Sequence, residues 1–125
     1  GAPAYNVSKA GVKAATEALQ HEFRNTENCQ LSAHLLVPGF TYTGMMRQFM
    51  PEKPAAAWTS EQVVEFTLKS IGNDDFYILC PDNDVDRDTD NKRMAWAMGD
   101  LIENRPPLSR WHEDYTQAFE DFMKP

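Results

Sequence analysis

Tyr5 and Lys9 stand four residues apart in the stretch Tyr5-Asn6-Val7-Ser8-Lys9-Ala10. On a helix this spacing puts both side chains on one face, one turn apart. A phenol, with an ordinary pKa of about 10, is a poor acid or base at neutral pH. An ammonium beside it favours the phenolate and makes proton transfer useful. The pair is a candidate proton-transfer couple, with Tyr5 as acid/base and Lys9 as its electrostatic helper. The same spacing also suits an ordinary amphipathic helix with the tyrosine packed inward and the lysine in solvent. What surrounds the pair decides between the two.

The pair needs a helix to hold it, and the pattern predicts one over 5–25. Val7, Ala10, Ala14 and Ala18, with Val12, Ala15, Leu19 and Phe23, fall near helical spacing. Asn25, Asn28 and the polar residues between them end it. A strand follows over 31–37, apolar at its end as a buried parallel strand is, and stopped by Pro38 and Gly39. In doubly wound folds ligands lie beyond the C-terminal ends of strands, so residues 38–43 sit where a ligand would be met. Met45, Met46, Met50, Phe49 and Trp58 then offer an adaptable apolar surface. Such a surface suits a short amphipathic helix packed into the core.

Thr59 with Gln62 three residues later forms a capping-box signature for a helix over 60–72. Val63, Val64, Thr67, Leu68 and Ile71 are expected on its inner face, and Gly72 ends it. The run Phe76-Tyr77-Ile78-Leu79-Cys80 predicts a second strand, closed by Pro81. The two strands are expected to be parallel neighbours joined through the 60–72 helix.

Residues 5–12, Tyr5-Asn6-Val7-Ser8-Lys9-Ala10-Gly11-Val12, resemble the active-site helix of the short-chain dehydrogenases/reductases. There Tyr-x-x-x-Lys is usually followed by a small residue. Pro38-Gly39-Phe40-Thr41-Tyr42-Thr43, after its strand, is similar to the family's Pro-Gly-x-Val/Ile-x-Thr segment beside the nicotinamide. Thr41 stands where Val or Ile is usual, a mild change for a segment that works through main-chain groups. The resemblance implies Tyr5 and Lys9 as catalytic and cofactor-binding residues. It implies Pro38, Gly39, Phe40, Thr41 and Thr43 as further cofactor contacts, and Met45, Met46 and Phe49 as a substrate lid. It further implies NAD or NADP as cofactor and a small carbonyl or alcohol substrate with an apolar portion. Hydride would pass between the nicotinamide and that carbon.

The likeness covers only half of the family's fold. The six glycines, Gly1, Gly11, Gly39, Gly44, Gly72 and Gly99, include no two close enough for a pyrophosphate-cradling turn. The family's catalytic serine lies well upstream of the tyrosine, and only residues 1–4 precede Tyr5 here. The expected fold class is therefore α/β, the C-terminal half of a Rossmann-like doubly wound parallel sheet, with about two strands and four to five helices. Residues 1–125 are read as a single partial domain, with 82–125 as an acidic helical C-terminal extension. The isolated chain is expected to be inactive.

Net charge is −7 and the pI about 4.8, which argues against nucleic acid or an anionic membrane as partner. No apolar run approaches the ~20 residues of a membrane span, and the N-terminal residues lack an export pattern. Cytoplasmic placement is expected. Cys29 and Cys80 form no metal or redox motif and read as free thiols, with a bridge left open. His21, His34 and His112 are too scattered for a metal site.

The residues from Asp82 onward carry eleven acidic and six basic side chains. Alternating Asp82, Asp84, Asp86, Asp88 and Asp90 invite a calcium-loop reading, which fails because Arg87 and Arg93 occupy the positions that need Gly and Glu. They instead feed a helix N-terminus, whose dipole favours acids. That helix is expected over 89–103 with Met94, Met98, Leu101 and Ile102 inward, broken by Pro106 and Pro107. A last helix reaches Met123 with Tyr115, Ala118, Phe119 and Phe122 on one side, and the extension could cover a substrate cleft or clasp a partner subunit, with Arg110 and Trp111 as its anchors.

A different class of function is a non-catalytic module derived from the short-chain dehydrogenase/reductase fold. Its exposed strand edge and helix faces would drive homo-oligomerisation or bind a missing N-terminal half. An acidic protein-binding domain unrelated to dehydrogenases would require the Tyr5/Lys9/Pro38/Gly39 pattern to be coincidence.

Overall fold

The computed structural model describes residues 2–125. The chain forms two compact units, one up to Cys80 and one comprising Pro81–Pro125. The architecture is α/β of the Rossmann-like, doubly wound kind, with strands that pair in parallel and four α-helices. No helix among the described residues is long and apolar enough to cross a membrane.

In the first unit, helix α1 spans Pro3–Asn25, starting two residues before the expected point. Pro3 occupies the first turn, where its missing N–H has no intrahelical partner to lose. Strand β1 is Leu35–Val37, shorter than the expected 31–37. The reason is local. The Ala33 N–H donates to the Gln20 side chain at 2.7 Å, and the His34 ring bonds the Asp75 carbonyl and the Ser32 hydroxyl. Ladder bonding therefore begins at Leu35, whose N–H donates to the Phe76 carbonyl.

Strand β4, Tyr77–Leu79, pairs with β1 in parallel, Leu36 opposite Ile78, as the sequence pattern predicts. Two further strands were not expected. β2, Thr41–Tyr42, lies inside the anticipated 38–43 loop and pairs in parallel with β3, Trp58–Thr59. The described residues thus hold four strands in two pairs rather than two.

Helix α2, Ser60–Gly72, carries the complete capping box: the Thr59 hydroxyl accepts from the Gln62 N–H, and the Gln62 side chain accepts from the Thr59 N–H. Such caps contribute about 1 kcal/mol. Its inner face differs from the expected one. Val63 and Ser70 are buried, whereas Val64, Leu68 and Ile71 are exposed. Val63 joins Ile78 and Cys80 in the core, with Trp58 and Phe66 packed against them. Phe66 and Thr67 supply the half-buried turn between Val63 and Ser70, so the helix is rotated toward this aromatic side.

In the second unit, α3 spans Arg87–Glu103 and α4 Thr116–Met123. Asp82 accepts from the Asp84 and Val85 N–H groups, and Asp86 caps α3 by accepting from the Thr89 N–H. The acidic run therefore serves turn and cap. The expected inner face of α3 is overturned: Met94, Met98, Leu101 and Ile102 are all exposed. The packed face is instead Trp96 and Gly99, because the aromatic rings of Phe119 and Phe122 stand edge-on to Trp96 at 5.3 Å. Arg105 lies over the other part of Trp96, 4.0 Å from its ring centroid. Arg110 sits 5.0 Å from the Trp111 ring and 5.2 Å from that of Phe119.

Candidate functional site

Helix α1 places Tyr5 and Lys9 on one flank, as their spacing requires, and the Lys9 ammonium stands 5.4 Å from the Tyr5 ring centroid. Both side chains are exposed, Tyr5 to 62 %. The helix is held to its unit by its second half. The Gln20 side chain accepts from Ala33, and the Tyr77 hydroxyl donates to Glu17 Oε1 at 2.5 Å. Thr16 and Glu17 are the first residues of α1 with partial burial, so residues 2–15 present every side chain to solvent. The Tyr5 backbone carbonyl accepts from the Ser8 hydroxyl at 2.7 Å, a local bond that leaves the phenol unengaged by that contact.

Beyond the C-terminal end of β1 comes the second group of expected site residues. Pro38 is exposed, and Gly39, Phe40, Thr41 and Thr43 are half-buried. The Phe40 carbonyl accepts from the Trp58 N–H at 2.9 Å, and the Thr41 hydroxyl donates to the Gly39 carbonyl at 3.1 Å. Thr41 pairs with Trp58 and Tyr42 with Thr59. This segment is thus anchored to the start of α2 by a short parallel ladder.

Met46 begins a short 3-10 turn, Met46–Gln48, and is half-buried, while Met45 and Phe49 are exposed to 71 % and 76 %. Two residues position this region in ways the sequence did not indicate. Trp58 supplies the ladder and packs edge-on against Phe66, and the Tyr42 hydroxyl bonds the Met50 and Pro51 carbonyls. The only sequence signal for them was an aromatic beside the Thr59 cap and an aromatic between two threonines.

These groups offer hydrogen-bond donors and acceptors to a polar ligand, but no evident phosphate cradle. Lys9 offers a solvent-facing ammonium, Tyr5 an exposed hydroxyl, and the 38–43 segment main-chain groups and hydroxyls. A pyrophosphate needs free N–H groups at a helix N-terminus. Here α2 has its first turn closed by the Thr59/Gln62 box, and α3 has its own closed by Asp86 with Asp88 and Asp90 behind it. Helix α1 begins on Pro3, which removes one N–H group from its first turn.

An open hollow of about 250 Å³ lined by Trp58, Gln62, Glu65, Phe66 and Lys69 borders the region on the α2 side.

Comparison with models of known protein families, with curated proteins and with solved structures finds no match. The parallel α/β architecture is compatible with nucleotide-binding folds in general.

Proposed function

We propose that this chain supplies the tyrosine–lysine side of the active site of an NAD(P)-dependent short-chain oxidoreductase. The observation that carries the reading is Tyr5 beside Lys9 on the exposed first half of α1, together with the Pro38-Gly39 segment beyond β1. Bound at such a site, a nicotinamide would exchange hydride with a carbonyl or alcohol carbon. Tyr5 would donate or take the hydroxyl proton. The Lys9 charge would stabilise the negative charge that develops on the Tyr5 oxygen as the proton leaves, and its ammonium would hold the nicotinamide ribose. Pro38, Gly39, Phe40, Thr41 and Thr43 would hold the carboxamide end through main-chain groups. Met45, Met46 and Phe49 would cover an apolar part of the substrate.

On this reading the pyrophosphate cradle and the serine that polarises the carbonyl would be supplied by other polypeptide, such as an N-terminal half of the same fold. This chain alone is then expected to bind NAD or NADP no better than millimolar and to turn over no carbonyl substrate. The test is an assay of ketone reduction with NADPH on the purified chain, with Tyr5→Phe as control. Turnover by the chain alone would contradict the expected inactivity, and turnover that Tyr5→Phe leaves unchanged would also defeat the assignment of Tyr5.

A second reading has its own observation. Tyr5, Val7, Val12 and Leu19 on α1, with Leu36 and Val37 on β1, are all exposed. So many apolar side chains beside an open strand edge suit a surface that self-associates or meets the complementary half. Light scattering coupled to size exclusion tests it, and a monomer at high concentration would count against it.

A further inference from the structure

Residues 44–51 form a flap that apolar packing does not explain. Met45, Phe49 and Met50 are exposed. The backbone bonds of the flap are all local: Arg47 N–H to the Thr43 carbonyl at 3.2 Å, Gln48 N–H to the Met45 carbonyl at 3.4 Å, and the Phe49 and Met50 N–H groups to the Met46 carbonyl at 3.0 and 2.8 Å. A turn this short is marginal by itself. What ties its far end back is Tyr42, whose hydroxyl lies 2.8 Å from the Met50 carbonyl and 2.9 Å from the Pro51 carbonyl. One hydroxyl proton serves both acceptors.

Arg47 stands 5.7 Å from the Tyr42 ring centroid, within reach of a cation–π contact, and is close enough to Glu61 in the first turn of α2 to interact with its carboxylate. Tyr42 itself is fixed, because it pairs with Thr59 in the β2–β3 ladder. Beyond the flap, the Lys53 ammonium donates to the Ala57 carbonyl at 2.6 Å and holds the next bend.

We infer that Tyr42 is a positioning residue: its hydroxyl latches the 44–51 flap to the β2–β3 ladder and so sets where Met45 and Phe49 stand. The role given to those two side chains rests on the reading of this segment as a substrate lid. The latch itself does not. The latch is polar, while the flap turns Met45, Phe49 and Met50 outward and keeps only Met46 half-buried. Releasing it would free Met45 and Phe49 to move without unfolding α2 or the sheet, the low-stability behaviour expected of a segment that must admit a ligand.

Amide hydrogen exchange on the full chain, without nucleotide, tests the latch. Tyr42→Phe is expected to speed exchange at Phe49 and Met50 about fivefold, the effect of one lost hydrogen bond, with α2 and β4 amides unchanged. The double variant Met45→Ala/Phe49→Ala is expected to leave flap exchange as in the parent. An unchanged flap in Tyr42→Phe would overturn the inference. So would acceleration spread evenly over residues 2–80, the mark of a merely structural tyrosine. So would equal acceleration in the Met45/Phe49 variant, because apolar packing would then hold the flap. Failure of nucleotide binding would affect only the lid role, because exchange reads the latch in the free chain.

Discussion

The Tyr77 hydroxyl donates to Glu17 Oε1, and through that bond α1 is fastened to β4 across sixty residues of chain. Lys13 grips the same carboxylate at 2.5 Å. The exposed first half of α1, which carries Tyr5 and Lys9, therefore leans on a polar clasp at its middle.

The clasp makes stability depend on pH at both ends. The Lys13 hydrogen bond first, then that of Tyr77, holds the Glu17 carboxyl below its ordinary value of 4.5. A depressed carboxyl contributes stability above that value and loses it as pH falls through its folded pKa. The Glu17 hydrogen bond raises Tyr77 above its ordinary 10.0 and Lys13 above 10.5. Their contributions are complete below those values and are lost as pH rises past them. Thermal unfolding from acid to alkaline pH is expected to show a plateau between these limits. Glu17→Gln is expected to flatten the acid fall, and an equal fall in parent and variant would remove the clasp from the account.

Gly99 is expected to be intolerant of a side chain. A methyl there would collide with the Arg105 guanidinium. Arg105 is not free to step aside, because it donates to the Trp96 carbonyl at 2.6 Å and its Nε lies 3.1 Å from Asp100 Oδ1. The N–H does not point at that oxygen, so the latter contact is ionic rather than a hydrogen bond. In an open helix Gly→Ala would stabilise by about 1 kcal/mol. Here Gly99→Ala is expected to destabilise by about 1 kcal/mol instead, because displacing Arg105 breaks a charge-assisted bond. Urea unfolding followed by tryptophan fluorescence reads the sign directly.

Ser109 is wholly buried and central to the second unit. Its hydroxyl accepts from Trp96 Nε1 at 2.8 Å and donates to Asp100 Oδ1 at 2.5 Å. The Ser109 bonds are the first cause of the lowered Asp100 pKa. Ser109→Ala leaves the indole N–H of Trp96 unpaired in the interior, a loss of about 1–3 kcal/mol. It is also expected to weaken the loss of stability as pH falls below the ordinary Asp value of 3.8. The same unfolding experiment at two pH values checks both.

The two thiols are expected to separate by reactivity. Cys80 is 1 % exposed, and burial pushes its thiol up, while Cys29 is half-buried. A disulfide reagent at neutral pH is expected to label Cys29 in the native chain and Cys80 only on unfolding. Rapid native labelling of Cys80 would contradict the packing of Val63, Ile78 and Cys80.

The sequence was most informative where one local rule decides the outcome. Thr59 with Gln62 announced α2, and the apolar run at Ile78 announced β4 and its parallel partner. It failed where packing chose among equivalent faces. On α3 the methionines and leucine suggested one face, but Trp96 won because Phe119 and Phe122 arrive from a helix distant in sequence. On α2 Val64 and Leu68 looked as fit for the interior as Val63. The two-residue strands Thr41–Tyr42 and Trp58–Thr59 were invisible because a ladder so short has no periodicity to read. The helix that puts Tyr5 and Lys9 on one face was legible from its apolar periodicity, and the end of β1 from Pro38 and Gly39. The Tyr42 latch was not, since nothing local distinguishes a latching phenol from a packed one.

The measurement that bears most directly on the proposed site is a protein-observed NMR titration of the chain with NADH, NADPH and reduced nicotinamide mononucleotide. Each would be taken to about 10 mM, because affinity without a pyrophosphate cradle is expected near millimolar. The account predicts shifts confined to Tyr5, Lys9 and residues 38–43, with the mononucleotide acting much like the dinucleotides, and their loss in Lys9→Ala. Shifts elsewhere, or none at these positions, would contradict the assignment of Tyr5 and Lys9 to a nicotinamide site.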